Sequence, residues 1–153
     1  MNKSFELTVN LEVLEPPEGF LATPEAISRE MGVPQEAVME TTVFRANGGF
    51  IAVLSGMDRR LNLKTLMSEL DHQWVTYPTK DEWKELGCID RKHPIVLASD
   101  PRVSIVIDAQ LLSHHELVFK GHKGRLFKVA RSGIMIATRA KPMGGISLPN
   151  SWQ

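Results

Sequence analysis

The sequence predicts a single mixed α/β (α+β) domain, a mixed β-sheet flanked by helices, and three observations carry that prediction. Thr41-Thr42-Val43-Phe44-Arg45 and Phe50-Ile51-Ala52-Val53-Leu54 are β-branched and aromatic runs joined by Asn47-Gly48-Gly49, the pattern of a β-hairpin. Val103-Ser104-Ile105-Val106-Ile107-Asp108 is almost continuously apolar, as a strand buried on both faces should be. Segments with helical spacing are interleaved with these runs, which suggests a sheet wrapped on one side by helices.

Taken in order, the first helix is expected to open at Thr23-Pro24-Glu25-Ala26. Thr23 can accept from the free amides of the first turn, and Pro24 lacks an N–H where none is needed. Ala26, Ile27 and Met31 share a face, and Gly32 suits the stop. Pro34 to Val38 is expected to form a short turn, followed by the hairpin. Leu61, Leu63, Leu66, Met67 and Leu70 predict a helix over residues 58–70. Pro78 to Leu86 is expected to be a second short helix, with Thr79 and Glu82 in capping-box spacing and Gly87 as its stop. Residues 87–101 contain His93-Pro94 and Asp100-Pro101 and are expected to be an ordered loop. Glu116–Lys120 and Arg125–Val129 are read as strands around the turn Gly121-His122-Lys123-Gly124. From Ala140 the tail, with Pro142, Gly144, Gly145 and Pro149, is expected to be irregular.

The chain has 153 residues, 42% of them hydrophobic, enough for one autonomous core over residues 1–153. No run approaches the ~18 apolar residues that cross a bilayer, so no membrane partner is expected. Met1–Asn10 lacks the basic-then-apolar pattern of a signal peptide. The single cysteine, Cys88, cannot form an internal disulfide, and a cytoplasmic location is expected. Net charge is zero but unevenly spread. Residues 1–40 carry eight glutamates against two basic side chains; residues 114–153 carry seven basic side chains against Glu116 alone. That basic third is either a solvated face or a local contact for phosphates.

Common catalytic motifs are absent: there is no GxxxxGK[ST] loop, no GxGxxG and no GxSxG elbow. Cys88 has no cysteine partner at zinc spacing, and His114-His115, being adjacent, would point to opposite faces of a strand. No metal and no cofactor is expected. As a nucleophile Cys88 is disfavoured, because it follows a helix C-terminus, where the dipole raises a thiol pKa.

Several segments, read together, resemble the YbaK family, whose relatives include the editing domain of bacterial prolyl-tRNA synthetase. They are Met31-Gly32-Val33-Pro34 with Val38-Met39-Glu40-Thr41, Gly56 to Lys64, Glu85-Leu86-Gly87-Cys88, Val106-Ile107-Asp108-Ala109 and Gly121-His122-Lys123-Gly124. They run in order over residues 20–130. The resemblance implies a mixed sheet or barrel flanked by helices. It implies a trans-acting deacylase that hydrolyses the ester between a wrong amino acid and the 3′-terminal adenosine of tRNA. Such enzymes use neither metal nor covalent nucleophile. The implied partner is the aminoacyl-tRNA 3′ end or a related oligonucleotide, with an aminoacyl-tRNA synthetase as a possible associate.

By the same resemblance, Glu40 stands where the family has a lysine that orients the 3′ end. Glu40, Gly121 and His93 are thereby the candidate catalytic residues; Arg45, Pro94, His122, Lys123 and Gly124 are the candidate substrate-binding residues. In the family, backbone N–H groups of a glycine-containing loop hold the ester carbonyl, where hydrolysis builds negative charge. This sequence departs from the pattern twice. A glutamate ~4 Å from a phosphate costs on the order of a few kcal/mol at an effective dielectric near 20, unless Arg45 or Lys123 offsets it. And no glycine precedes Pro94 in Ile89-Asp90-Arg91-Lys92-His93. The alternative implied by these departures is a catalytically degenerate module that binds nucleotide or tRNA without turnover.

Overall fold

The computed structural model describes residues 12–14, 23–46, 48–70, 75–87, 92–121 and 124–149. Its elements are β1 (Glu12–Leu14), α1 (Pro24–Met31), a 3-10 turn (Gln35–Ala37), β2 (Val38–Ala46), β3 (Gly49–Gly56), β4 (Arg59–Leu61) and α2 (Leu63–Glu69). They continue with β5 (Val75–Thr76), α3 (Lys80–Leu86), α4 (Pro94–Ala98), β6 (Val103–Asp108), a second 3-10 turn (Ala109–Ser113), β7 (Glu116–Lys120) and β8 (Leu126–Ala130). Last come α5 (Arg131–Thr138), β9 (Lys141–Met143) and β10 (Ser147–Pro149). No described helix is long and apolar enough to cross a membrane.

Local chemistry accounts for the helix ends. Thr23 Oγ1 accepts from Ala26 N at 3.2 Å, and Gly32 closes α1 at φ 67°. Thr79 and Glu82 exchange both capping-box bonds at the start of α3. Asn62 Oδ1 accepts from Thr65 N and caps α2.

One eight-stranded mixed sheet runs in the order β1-β8-β7-β2-β3-β6-β9, with β5 added to β2. β2 and β3 form the expected hairpin, with Thr41 opposite Leu54 and Phe44 opposite Ile51. Parallel pairings of β3 with β6 and of β2 with β7 tie the hairpin into the sheet. Seven of the eight β3 residues are buried, because both of its faces are covered. On one face α1, α3, α4 and α5 contribute Ile27, Leu86, Ile95, Leu97 and Ile134 to the larger core, which includes Ala52, Leu54, Ile105 and Ile107. On the other face Phe44, Ile51, Val53 and Val106 pack against Leu66 of α2 and against Met143 and Ile146. Helices therefore cover both faces, rather than one: the alternate residues of β3 are apolar too and need their own cover.

Three further expectations are corrected. Residues 58–70 are not one helix: Arg59–Leu61 form β4, which pairs antiparallel with β10, and the helix starts only at Leu63. The stretch 87–101 contains α4, opened by Pro94 and held by buried Ile95 and Leu97. The tail beyond Ala140 is not irregular. Lys141–Met143 adds to the edge of the sheet beside β6, and Ser147–Pro149 pairs with β4. Both prolines of these strands, Pro142 and Pro149, sit in peripheral strands where a missing ladder donor is tolerated. Each correction depends on a partner distant in sequence.

Candidate functional site

β2 presents Glu40, Thr42 and Phe44 on one face, since alternate residues of a strand point the same way. These three form one wall of a cavity of about 340 Å3, and Met57, Arg59, Arg60, Leu61, Leu63 and Tyr77 complete it. Tyr77 lies at the cavity edge, 70% exposed, with its ring supported by Phe44 at a centroid distance of 5.4 Å. Arg60 is exposed at the rim.

Arg59 is held rigidly. Its Nε donates to Ser147 Oγ at 2.7 Å and its Nη2 to Ser147 O at 3.1 Å. The Ser147 hydroxyl in turn donates to the carboxylate of Asp108, a side chain 1% exposed that also accepts from Gln110 N at 3.2 Å. The β4–β10 pairing thus brings an arginine to the cavity wall and a buried carboxylate behind it.

Glu40 is half-buried, and burial pushes its carboxyl above the usual carboxylate range while the charge of Lys92 pulls it partly back. Among the described residues its side chain makes no hydrogen bond and no ion pair. A carboxylate kept in that condition costs folding free energy, which makes it a candidate for a role toward a ligand.

Next to it, Thr41 Oγ1 donates to Lys92 O at 3.2 Å and pins the segment leading into α4 against β2. His93 follows, only 3% exposed, with its ring edge-on to Phe119 at 5.0 Å and to Phe127 at 4.7 Å. Pro94 is buried as the first residue of α4. Both residues are therefore built into the core beneath the site rather than presented to a ligand. In the parallel β2–β7 pair Met39 stands opposite Phe119, so Glu40 and the Lys120-Gly121 end of β7 lie at the same edge of that pair. At this turn the Gly121 N–H donates to Arg125 O at 2.8 Å and the Gly124 N–H to Gly121 O at 3.2 Å. These two amides serve the turn itself and are not open donors for an ester oxygen. Gly124, at φ 74°, takes the left-handed conformation that glycine adopts without strain. His122 and Lys123 lie outside the described residues, as does Cys88.

Arg45 is not brought to Glu40. It lies five residues along β2, roughly 16 Å away at ~3.3 Å per residue. There its Nε pairs with Glu82 at 2.6 Å, its Nη1 donates to Ala46 O and Gly49 O, and its guanidinium lies 5.4 Å from the centre of the Phe50 ring. It fastens α3 to the hairpin and offsets no charge at Glu40. The residues that share Glu40's cavity, Arg59, Arg60 and Tyr77, escaped the sequence reading. Arg59 and Arg60 looked like the start of a helix, and Tyr77 carries no local signal.

A second cavity, about 470 Å3, lies on the other side of Arg59 and is lined by Glu36, Asp58, Asp108, Gln110, Ser113 and His114. The Asp58 carboxyl is raised by burial and, further, by the charges of Glu36 and Glu25. Arg59 lines this cavity too, together with three carboxylates, Glu36, Asp58 and the buried Asp108.

No curated protein sequence matches the chain. Among solved structures, one described as a candidate trans-editing enzyme for prolyl tRNA synthetase is similar at 20% identity, covering 93% of this chain and 94% of that one with a TM-score of 0.74. A hypothetical protein of crystal structure is similar at 21% identity, 96% and 99% coverage and a TM-score of 0.75. A longer candidate signal transduction protein from Marinobacter aquaeolei matches 96% of this chain over 30% of its own, at 8% identity and a TM-score of 0.66. At these identities the likeness is one of fold. The profile of the aminoacyl-tRNA editing domain matches residues 20–132, about three quarters of the sequence. The chain belongs to the aminoacyl-tRNA editing domain family, as its ordered YbaK-like segments imply.

Proposed function

We propose that the protein is a trans-acting aminoacyl-tRNA deacylase whose substrate end enters the cavity at Glu40. The observation that carries this reading is the cavity itself: a carboxyl group, two arginines and an exposed aromatic ring gathered around one cavity within the editing-domain fold. Tyr77 offers a ring face on which the terminal base can stack, a contact worth ~1–3 kcal/mol and available to any base. Arg60 at the rim supplies positive charge for the 3′ phosphates. Hydrolysis adds water to the ester carbonyl carbon and returns an amino acid and a free ribose hydroxyl, with negative charge gathering on the carbonyl oxygen in between. Fixed donors near that oxygen are the main requirement, and Arg59, locked by Ser147, is one such donor on the cavity wall. Gly121, at the end of β7 beside β2, offers the incoming backbone a further contact. His93 and Pro94 act as positioning residues through Phe119, Phe127 and Thr41, and the cytoplasm is the compartment in which such an enzyme works.

One observation favours the alternative of a binding module without turnover: Glu40 puts an acidic side chain on the wall of the cavity that the phosphate-bearing end would enter. Release of labelled amino acid from a panel of mischarged tRNAs separates the two. Turnover that falls at least tenfold in Tyr77→Ala and Arg59→Ala supports the enzyme at this cavity. Binding of the same tRNAs with no release above background, at high protein concentration, overturns the deacylase and leaves the binding module.

A further inference from the structure

Glu40 places a carboxyl group on the cavity wall, which bears on substrate choice. A carboxylate cannot serve a phosphate; its partner must be a cation or a hydrogen-bond donor. Glu40 projects from β2 into the cavity between Thr42 and the Met57–Leu61 segment, and among the described residues it has neither ion pair nor hydrogen bond. The two arginines of the cavity do not supply the partner: Arg59 is turned onto Ser147 and thereby onto the buried charge of Asp108, and Arg60 is at the exposed rim. Lys92, exposed on the segment pinned by Thr41, acts on Glu40 only as a nearby charge. The cavity, about 340 Å3, accommodates an amino acid ester next to one nucleoside face.

Every aminoacyl ester of tRNA carries one cation close to the scissile bond, the α-ammonium, one carbon from the ester carbonyl. We propose that Glu40 binds this α-ammonium, so that the site selects aminoacyl esters with a free amino group and rejects those whose amine is acylated. The inference rests on the proposed function, since it names which part of that substrate meets Glu40. A half-buried ion pair formed on binding also relieves the desolvated carboxylate, so the cost is paid in the empty protein and recovered with substrate.

The test uses two non-hydrolysable probes with the full chain: 3′-amino-3′-deoxyadenosine carrying alanine through an amide, and the same compound N-acetylated. Calorimetry or NMR titration gives their affinities for the wild type and for Glu40→Gln. The expected result is binding of the free amine at least tenfold tighter than of the acetylated probe in the wild type, with that preference falling to about twofold or less in Glu40→Gln. Equal affinities for the two probes in the wild type overturn the inference, as does a preference that survives the Glu40→Gln change. The comparison of two ligands on the unaltered protein does not depend on the variant folding. Failure of the inference is distinct from failure of the deacylase: if alanyl-tRNA and N-acetylalanyl-tRNA are hydrolysed at the same rate, the enzyme stands and the ammonium role falls. If neither probe binds and neither tRNA is hydrolysed, both fall.

Discussion

Replacing Ser147 by alanine tests how the site is assembled. The Ser147 hydroxyl is the hinge between Asp108, 1% exposed, and Arg59, whose Nε it accepts at 2.7 Å. Alanine removes one donor from a buried carboxylate, which keeps Gln110 N at 3.2 Å, and one acceptor from a guanidinium, which keeps Ser147 O at 3.1 Å. A hydrogen bond to a charged group contributes ~1.5–3 kcal/mol, and a buried charge left short of partners costs the most. The bond to Asp108 counts nearly in full; that to Arg59 counts for less, because Arg59 is half-buried and water can replace the hydroxyl. The expected loss is therefore about 2–4 kcal/mol in urea unfolding, read from the shift in midpoint at unchanged slope. Exposed Ser104→Ala should stay within ~0.5 kcal/mol. In a double-mutant cycle with Asp108→Asn the coupling should exceed ~1 kcal/mol. A Ser147→Ala loss no larger than that of Ser104→Ala would refute the claim that this chain of contacts holds β10 to β4 and Arg59 to the cavity.

Three further outcomes are expected. Phe127→Ala, which empties a side chain 2% exposed and stacked on Phe119 at 5.1 Å, should cost about 3–5 kcal/mol; a loss below ~1.5 kcal/mol in chemical unfolding would contradict the packing described under His93. Gly49→Ala should destabilise by about 1–3 kcal/mol, because its Cβ would sit 2.8 Å from the backbone oxygen of Arg102, which already accepts from Phe50 N; an unchanged melting temperature would count against that close approach. Glu40→Gln should change the pH dependence of stability. The folded protein holds this carboxyl above its ordinary range, so the protonated form is favoured on folding; the wild type has its full contribution below about pH 4 and loses it as pH rises through the raised value. Melting temperatures from pH 4 to pH 8 should therefore show the variant gaining on the wild type as pH rises, and parallel curves would refute the buried-carboxylate account.

Legibility varied with the range of the forces involved. The capping box of Thr79 and Glu82 and the Thr23-Pro24 opening were readable because both partners lie within one turn. The β2–β3 hairpin was readable because Gly48 and Gly49 bring its strands together locally. Pro94–Ala98 was misjudged because five residues are too few for a period, and the helix exists by burying Ile95 and Leu97. Helix α5 was missed: Gly133 weakens its pattern, and it is held by buried Ile134 and Thr138. Of the site, Glu40 was found as an oddity against a resemblance, whereas Arg59, Arg60 and Tyr77 come from segments that carry no sign of a shared cavity.

By itself the sequence determined a mixed sheet with an apolar central hairpin and strand, its short capped helices, the ordered segments that resemble the family and the glutamate at position 40. These follow from local propensity, from alternation and from residue identity. Only the tertiary structure decided that residues 59–61 are a strand, that Ser147 and Asp108 lock Arg59, that Arg45 belongs to Glu82, and that Glu40 lines a cavity with no hydrogen bond or ion pair among the described residues. Each of those depends on pairing across tens of residues, where the free energy of a contact is set by burial and by the groups that distant segments bring to it.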